Sequence, residues 1–498
     1  VRGGVSTWVH QILTALPDLR FSVVFIGAEK AAAGQWKYEP PSNLVNFTEL
    51  FLFDPAFRPR PKSGRANRQT WQAVHTALHR LISPEGDSDP NAVDQRLSEA
   101  FLATAKLAQS VRFDAFWSHP DTWELLQSIY TRQFGDVSFI DFFWNVRFLL
   151  EPVWRILELE ETLPEAAVYH SVSTGYAGLL GALAARRRPD SRFLLSEHGI
   201  YVRERISDLL RSEWTDTGFS AAASAGGIPP LRRLWIDFFV EIGRFSYHTA
   251  SKIVSLFQKN AVIQGEFGAP SDRQMVIPNG VDLDRFAPIR QLREEKRAAQ
   301  PSRQIVGFYG RVVSIKDVKT LLRAAKVTLE TAPGARFLIV GPTDEDPAYF
   351  EECQNLTTQL GLQDVIKFTG SATPEQALPE FDVMVLSSVS EGLPFAVLEG
   401  FASGMPVVST DVGSCSELVF GRDGEHPPLG AAGKIVPTGN PSALGKALAS
   451  LLNDRSLQER LGAAGLARTE RYYSEPGVIG DYRNLYQSLM TEAISATA

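Results

Sequence analysis

Cysteine is scarce in this chain: Cys353 and Cys415 are the only two among 498 residues. They stand far apart, outside any CxxC or Cys/His spacing, which excludes a disulfide framework and a thiolate zinc site and fits a reducing, cytoplasmic compartment. Long apolar runs are missing as well. Nothing approaches the roughly 18 consecutive apolar residues that cross a bilayer, and the first residues carry neither the basic nor the apolar region of a secretion signal. Positive charge is not in excess either, since 50 Lys and Arg against 57 Asp and Glu leave a net charge of −7. That balance argues against nucleic acid as a partner, because a phosphate polymer is held by a concentrated basic face. Neither GxGxxG nor GxxxxGK[ST] occurs, so dinucleotide redox chemistry and P-loop chemistry lack their phosphate loops.

What is present is a globular composition, 44% hydrophobic and 21% charged, in a chain long enough for two or three cores. Residues 21–26 (FSVVFI), 165–170 (EAAVYH), 192–196 (RFLLS) and 252–257 (KIVSLF) read as buried strands between helical stretches, the pattern of βα units on a parallel sheet. A segment rich in Pro, Arg and Ser, from Asp54 to about residue 100, reads as an insertion of exposed loops with a short helix between them. A cleaner series starts near Gln304. There IVGFYG, RFLIVG, VIKFTG, DVMVLSS, PVVST and KIVP are short apolar runs separated by helix or turn patterns, as in a Rossmann-like domain. The expected layout is therefore α/β throughout: a Rossmann-like domain over 1–282, a charged linker over 283–302, a second Rossmann-like domain over 303–472 and a last helix over 473–498.

Two carboxylates stand out in SSVSEGLPFAVLEGFASGMPVVST, residues 387–410. A strand runs to Ser387, Pro394 suits the first turn of a helix, and Gly404 with Pro406 ends that helix. Glu391 lies in the loop and Glu399 on the helix, roughly 7–8 Å along the axis from Pro394 at 1.5 Å per residue. Taken singly, Glu391 is an acid that favours a helix N-terminus and Glu399 a solvated helix residue. Together, at the carboxyl edge of a parallel sheet, they suit two hydroxyl-bearing groups with an anion between them.

Cations come from GFYGRVVSIKDVKTLLRAAKVTLE, residues 307–330. Asp317 is placed to cap a helix whose apolar face includes Val318, Leu321, Leu322 and Ala325. Lys316 then sits at the positive end of the helix dipole, where a cation is disfavoured unless an anion lies nearby. A diphosphate would supply one, held by a forked contact from Arg311 and a point charge from Lys316 without a metal. For Lys316 alone an exposed loop lysine is an equal reading; for the pair it is the weaker one. In MVIPNGVDLDRF, residues 275–286, Asn279-Gly280 marks a turn after an apolar strand. The opening VRGGVSTWVHQIL has Val5, Trp8, Val9, Ile12 and Leu16 at helical spacing, which puts Gly3 and Gly4 at a helix N-terminus whose free amides can receive an anion.

Together these residues resemble glycosyltransferase family 4, retaining enzymes of the GT-B fold. IPNGVD (277–282), Gly310-Arg311 followed by Lys316, and the E-x7-E of 391–399 keep that family's order and spacing. The opening stretch, residues 168–205 and residues 235–257 resemble the branch that acts in Pel exopolysaccharide synthesis. The resemblance implies two Rossmann-like domains facing across a cleft, the acceptor side first, with the last helix returning to the first domain. It implies that Arg311 and Lys316 hold the donor diphosphate, Glu399 the nucleotide ribose and Glu391 the donor sugar, with backbone amides around Gly392, Leu393 and Phe395 touching sugar and phosphate. The Gly3-Gly4 loop would face the donor phosphates and the acceptor after a first strand missing from this chain, so the sequence reads as N-terminally shortened. A pocket histidine contacts the donor sugar in such enzymes. His170, ending a strand that would point it into the cleft, and His198, in Glu197-His198-Gly199, both compete for that place, because the family's His-x-His has Val172 at its second position here.

The function so implied is extension of a polysaccharide from a nucleotide sugar, expected to be a UDP-sugar, with retention at the anomeric carbon. Stabilising the leaving diphosphate would be the protein's main contribution. No metal and no other cofactor is expected; the expected partners are the donor, a polysaccharide acceptor and an inner-membrane synthase and export complex. Asp282-x-Asp284 looks like the metal-binding DxD of other glycosyltransferases but lies where the GT-B family places no metal. Arg186, Arg187 and Arg188 read as cations complementing a helix end. Two other readings stay open: a catalytically silent nucleotide-binding scaffold subunit, against which Arg311, Lys316, Glu391 and Glu399 speak, and a nucleotide-sugar epimerase, whose motifs are not evident.

Overall fold

The computed structural model describes residues 4–28, 30, 34, 38–54, 68–82, 90–212 and 227–495. Its strands form three sheets. In the first, β1 (Phe21–Gly27) pairs parallel with β2 (Leu44–Phe51). The second runs β3 (Val168–Ser171), β4 (Arg192–Glu197), β5 (Lys252–Ser255) and β6 (Gln274–Val276) side by side in chain order. The third is built from β7 (Ile305–Tyr309), β8 (Arg336–Val340), β9 (Ile366–Gly370), β10 (Val383–Leu386), β11 (Val407–Thr410) and β12 (Gly433–Val436), in the spatial order β12-β11-β10-β7-β8-β9. All six apolar runs read from the sequence beyond Gln304 are these strands. β2 is an addition: LVNFTELF mixes polar with apolar residues without regular alternation and is only partly buried, a weaker signal than a continuous apolar run.

The chain divides into two compact units. Val1–Ser255, Asn260–Met275 and Arg483–Ala498 contribute the described residues of one, Leu256–Lys259 and Val276–Tyr482 those of the other. In the first, the long helices Pro90–Ala108, Phe139–Glu160 and Pro230–Thr249 share a core with β4 and β5. The expected insertion of loops around a short helix is corrected here, apart from residues 55–67 and 83–89, which lie outside the described residues. Arg68–Ile82 is a 15-residue helix. It buries Trp71, Val74 and Leu78 in the same core as Phe101, so an apolar face was hidden in a polar composition.

In the second unit the strand order reverses between β7 and β10, which pair parallel with Val383 opposite Val306 and Met384 opposite Gly307. Ligands of doubly wound sheets bind at the carboxyl ends of the strands at such a reversal. The expected linker is also corrected: Leu283–Ala299 is a helix of this unit, capped by Asp282 Oδ1, which accepts the N–H groups of Asp284 and Arg285 at 3.1 Å. Two of its arginines, Arg293 and Arg297, do not face water. Arg293 is 1% exposed and donates to the carbonyls of Phe381 (2.9 Å), Asp382 (3.1 Å) and Gly404 (3.2 Å). Burial lowers its guanidinium to about 10. Arg297 and Arg303 flank the Asp382 carboxylate, with Arg303 Nε 3.0 Å from Oδ1, while Oδ2 accepts the Ile305 N–H at the start of β7 at 2.8 Å.

Removing one partner of a buried charge pair costs about 3–5 kcal/mol, because the other charge stays in the interior. Asp382→Ala is therefore expected to lower the unfolding free energy of the second unit by about that amount, seen as a lower urea midpoint followed by intrinsic fluorescence. A midpoint equal to that of the wild type would show that the carbonyl contacts alone hold the arginines.

Candidate functional site

The chain leaves β7 through Gly310-Arg311. Gly310 N–H donates to Val340 O at 2.9 Å, and Gly341 packs so closely that a Cβ there would lie 1.9 Å from Gly310 O. A turn at Ser314–Lys316 follows. Asp317 then adopts a left-handed conformation, φ 43°, from which its carboxylate caps the helix Val318–Thr331 by accepting the Thr320 N–H at 3.2 Å. Asp tolerates this region because its short side chain bonds locally.

Lys316, just before the cap, reaches the loop after β10, where its Nζ lies 2.5 Å from Glu391 Oε1. Ser388 Oγ donates to the same oxygen at 2.6 Å. The two loops are also tied through the backbone, Ser387 Oγ donating to Lys316 O at 2.8 Å and Val389 N–H to Ile315 O at 2.9 Å. Lys316 and Glu391 are 18% and 12% exposed, enough shielding to make their attraction stronger than that of a surface pair. Arg311 does not join them. Its half-exposed guanidinium pairs with Glu345 at 2.7 Å, a partner that sequence spacing did not suggest.

The helix after this loop is Phe395–Ala402, with Pro394 as its cap residue rather than its first helical one. As the first residues of the helix, Phe395 and Ala396 have N–H groups without intrahelical acceptors. Glu399 lies farther along, among Tyr309, Arg285 and Glu375. Burial pushes its carboxyl up to about 7; Arg285 opposes the shift and Glu375 adds to it. Arg285 itself is engaged by Glu375 at 2.7 Å. Burial, then the nearness of Glu399, pushes Tyr309 up to about 12. The Glu399 carboxylate accepts no hydrogen bond among the described residues, which leaves it an open acceptor for hydroxyl groups. The structure thus brings Lys316 and Glu391 together and leaves Arg311 and Glu399 in separate settings at the same sheet edge.

In the first unit the two candidate histidines differ. His170 uses both ring nitrogens, Nδ1 with Tyr486 OH at 2.6 Å and Nε2 with Ser196 Oγ at 2.8 Å. His198 Nε2 is buried and meets no hydrogen-bond partner among the described residues. Burial lowers His170 to about 3 and His198 to about 4, so both are neutral at pH 7. The Trp8 ring lies edge-on to both, at 5.8 and 4.7 Å. Gly4 begins the helix Gly4–Ala15, and Gly3 lies outside the described residues.

Beside His198, Glu197 is fully buried and carries the densest hydrogen bonding in this region. It accepts from Thr174 Oγ1 (3.0 Å), Tyr247 OH (2.6 Å), Gln264 Nε2 (3.0 Å) and Tyr201 N–H (3.4 Å). Burial raises its carboxyl and these donors oppose the rise. Most of its partners are remote in sequence, so no local pattern could have announced them. Elsewhere, Arg187 and Arg188 pair with the buried Glu160, a stronger role than the helix-end charge expected of them. Among the described residues no group of three or more His, Cys, Asp or Glu side chains could hold a metal ion, and no helix is long and apolar enough to cross a membrane.

Residues 1–272, more than half of the chain, match the family described as Domain of unknown function (DUF3492). The chain belongs to that family. Residues 290–468 of this DUF3492 protein match Glycosyl transferases group 1, and that stretch holds Arg311, Lys316, Glu391 and Glu399. The D-inositol 3-phosphate glycosyltransferase of Nocardia farcinica is 31% identical over 226 residues, 43% of this chain and 48% of that protein. The lipopolysaccharide core biosynthesis mannosyltransferase LpsB of Rhizobium meliloti is 31% identical over 222 residues, 43% and 61%. The chain spans about half the length of the curated relatives it matches. Sucrose-phosphate synthase from Thermosynechococcus elongatus aligns with a TM-score of 0.57 at 16% identity, over 98% of this chain and 94% of that one. HepE from Anabaena, solved in complex with UDP, aligns with a TM-score of 0.51 at 18% identity, over 67% and 82%. The fold of the DUF3492 protein is GT-B, with two Rossmann-like α/β units.

Glu399 supplies a test of the site's electrostatics. A carboxyl raised above its unfolded value of 4.5 to about 7 favours the fold below pH 4.5, and that advantage is lost as pH rises through 7. Glu399→Gln removes the cost of the buried charge, so it is expected to be more stable than the wild type at pH 8 by about 1–3 kcal/mol and equal to it near pH 4.5. Thermal melts across that range check this; a difference independent of pH would mean that Glu399 is well solvated.

Proposed function

We propose that this chain is a retaining glycosyltransferase that takes a UDP-sugar and extends an exopolysaccharide of the Pel type. The carrying observation is the Lys316–Glu391 contact at the two strand ends that flank the sheet reversal, with the open carboxylate of Glu399 on the helix that follows. In this reading the donor diphosphate takes Glu391's place as the anion of Lys316, and Glu391 is released to accept the hydroxyls of the donor sugar. Arg311 shares the diphosphate charge, and the amides of Gly392, Leu393 and Phe395 bond to it and to the sugar. Glu399 accepts the two ribose hydroxyls.

As the bond to the sugar breaks, negative charge grows on the leaving diphosphate, and these prearranged cations and amides stabilise it without a metal. The acceptor hydroxyl attacks from the face that the leaving group departs. Of the two histidines that compete for the family's pocket position, His198 has the open Nε2, while His170 is held by Tyr486 and Ser196 as a support. Gly4, at the start of the helix Gly4–Ala15, offers free N–H groups that suit an anion. The glycosyltransferase names of the curated relatives support the reaction class, and the resemblance of residues 168–205 and 235–257 supports the exopolysaccharide branch and an inner-membrane synthase complex as partner.

UDP release from a panel of UDP-sugars, with a polysaccharide acceptor, tests the proposal. Lys316→Ala and Glu391→Ala are each expected to lose about 100-fold or more in turnover while keeping the wild-type melting temperature within a few degrees. Glu391→Gln is expected to bind UDP several-fold more tightly, because Lys316 no longer has a competing partner, and still to lose transfer. Wild-type turnover by Lys316→Ala would overturn the assignment.

A further inference from the structure

We propose that Gly413 and Ser414 are positioning residues for the donor site: they hold the loop 391–393 so that the N–H groups of Gly392 and Leu393 point outward as donors to the diphosphate. The inference rests on the functional reading above and adds residues that lie behind the site rather than in it.

Beyond β11 the chain turns through Val412 and Gly413 into the helix Cys415–Phe420. Gly413 has φ +54°, and a Cβ built on it would lie 2.3 Å from Gly392 O and 2.4 Å from Glu391 O. Both neighbours are backbone atoms, so no side-chain rotation could relieve the clash. The carbonyl of Glu391 faces Gly413, its oxygen nearer than its carbon at 2.9 Å. Ser414 fixes the next carbonyl, donating to Gly392 O with both its N–H (3.0 Å) and its Oγ (3.1 Å). Thr410 Oγ1 holds Ser388 O at 2.6 Å, and the buried Asn279 reaches Leu393 O with Nδ2 at 3.5 Å. The carbonyls of this loop are thus pulled into the protein from behind.

A trans peptide points its C=O and the following N–H in opposite directions. With the Glu391 and Gly392 carbonyls turned toward residues 413–414, the N–H groups of Gly392 and Leu393 point away from them. Neither N–H meets an acceptor among the described residues. Adjacent unpaired amides beside a lysine form a concave arrangement that suits phosphate oxygens. Gly413 supplies the room and Ser414 the anchor that keep these amides aimed.

The experiment is calorimetric titration of the full chain, wild type, Gly413→Ala and Ser414→Ala, with UDP and with uridine, alongside melting curves. UDP affinity is expected to fall at least about tenfold in Gly413→Ala, and about 2- to 10-fold in Ser414→Ala, which keeps one of its two hydrogen bonds. Uridine affinity is expected to stay at the wild-type value, since uridine carries no phosphate. Wild-type UDP affinity in Ser414→Ala would overturn the inference, as would an equal loss for uridine and UDP. Should Gly413→Ala fail to fold, Ser414→Ala decides. A wild-type chain that binds no UDP overturns the functional reading itself and this inference with it, a result distinct from unaffected variants.

Discussion

The contact between Lys316 and Glu391 fastens the turn after β7 to the loop after β10, and the rest of the candidate site is arranged around that fastening. It depends on register. Val306 lies opposite Val383 in the sheet, which sets the two strand ends level and brings a lysine from one to a glutamate from the other. A slip by one residue would turn the side chains of β10 to the opposite face of the sheet. Ser387, Ser388 and Val389 then convert a single ion pair into a joint between two loops. The pair gives each charge a partner in partly buried surroundings, where their attraction is stronger than in bulk water.

Acids of one chemical type are given different tasks by their surroundings. Glu391 is neutralised by a lysine, Glu345 by an arginine, and Glu399 has only the more distant Arg285, which Glu375 already engages. Glu399 is accordingly the one that burial moves into the physiological range. In the first unit Glu197 takes a fourth solution, satisfied by hydroxyl, amide and backbone donors. Since its donors come from the turn after β3 and from separate helices, it fixes the end of β4 and hence the place of His198.

Sequence pattern made the second unit legible because its central strands β7, β10 and β11 are buried along most of their length and so read as short apolar runs. The Asp317 cap and the placing of Glu391 before and Glu399 on one helix could also be read, since both depend on neighbours within a few residues. β2 escaped because a partly exposed strand mixes polar with apolar residues. The helix Leu283–Ala299 was mistaken for a linker because arginine is usually solvated, whereas Arg293 and Arg297 spend their charge on buried carbonyls and on Asp382. The difference between His170 and His198 could not be read at all. It lies in a tyrosine 316 positions away.

The chain passes between its two units after Ser255, Lys259, Met275 and Tyr482, so neither unit corresponds to one uninterrupted stretch of coding sequence. The residues from Arg483 onward belong with the first unit and include Tyr486, which completes the hydrogen bonding of His170. A premature stop codon just before Arg483 would spare every catalytic candidate in the second unit and still strip that histidine of a partner. The genetic lesion and its chemical effect would then sit at opposite ends of the molecule's map, and a tail deletion could pass for an active-site defect.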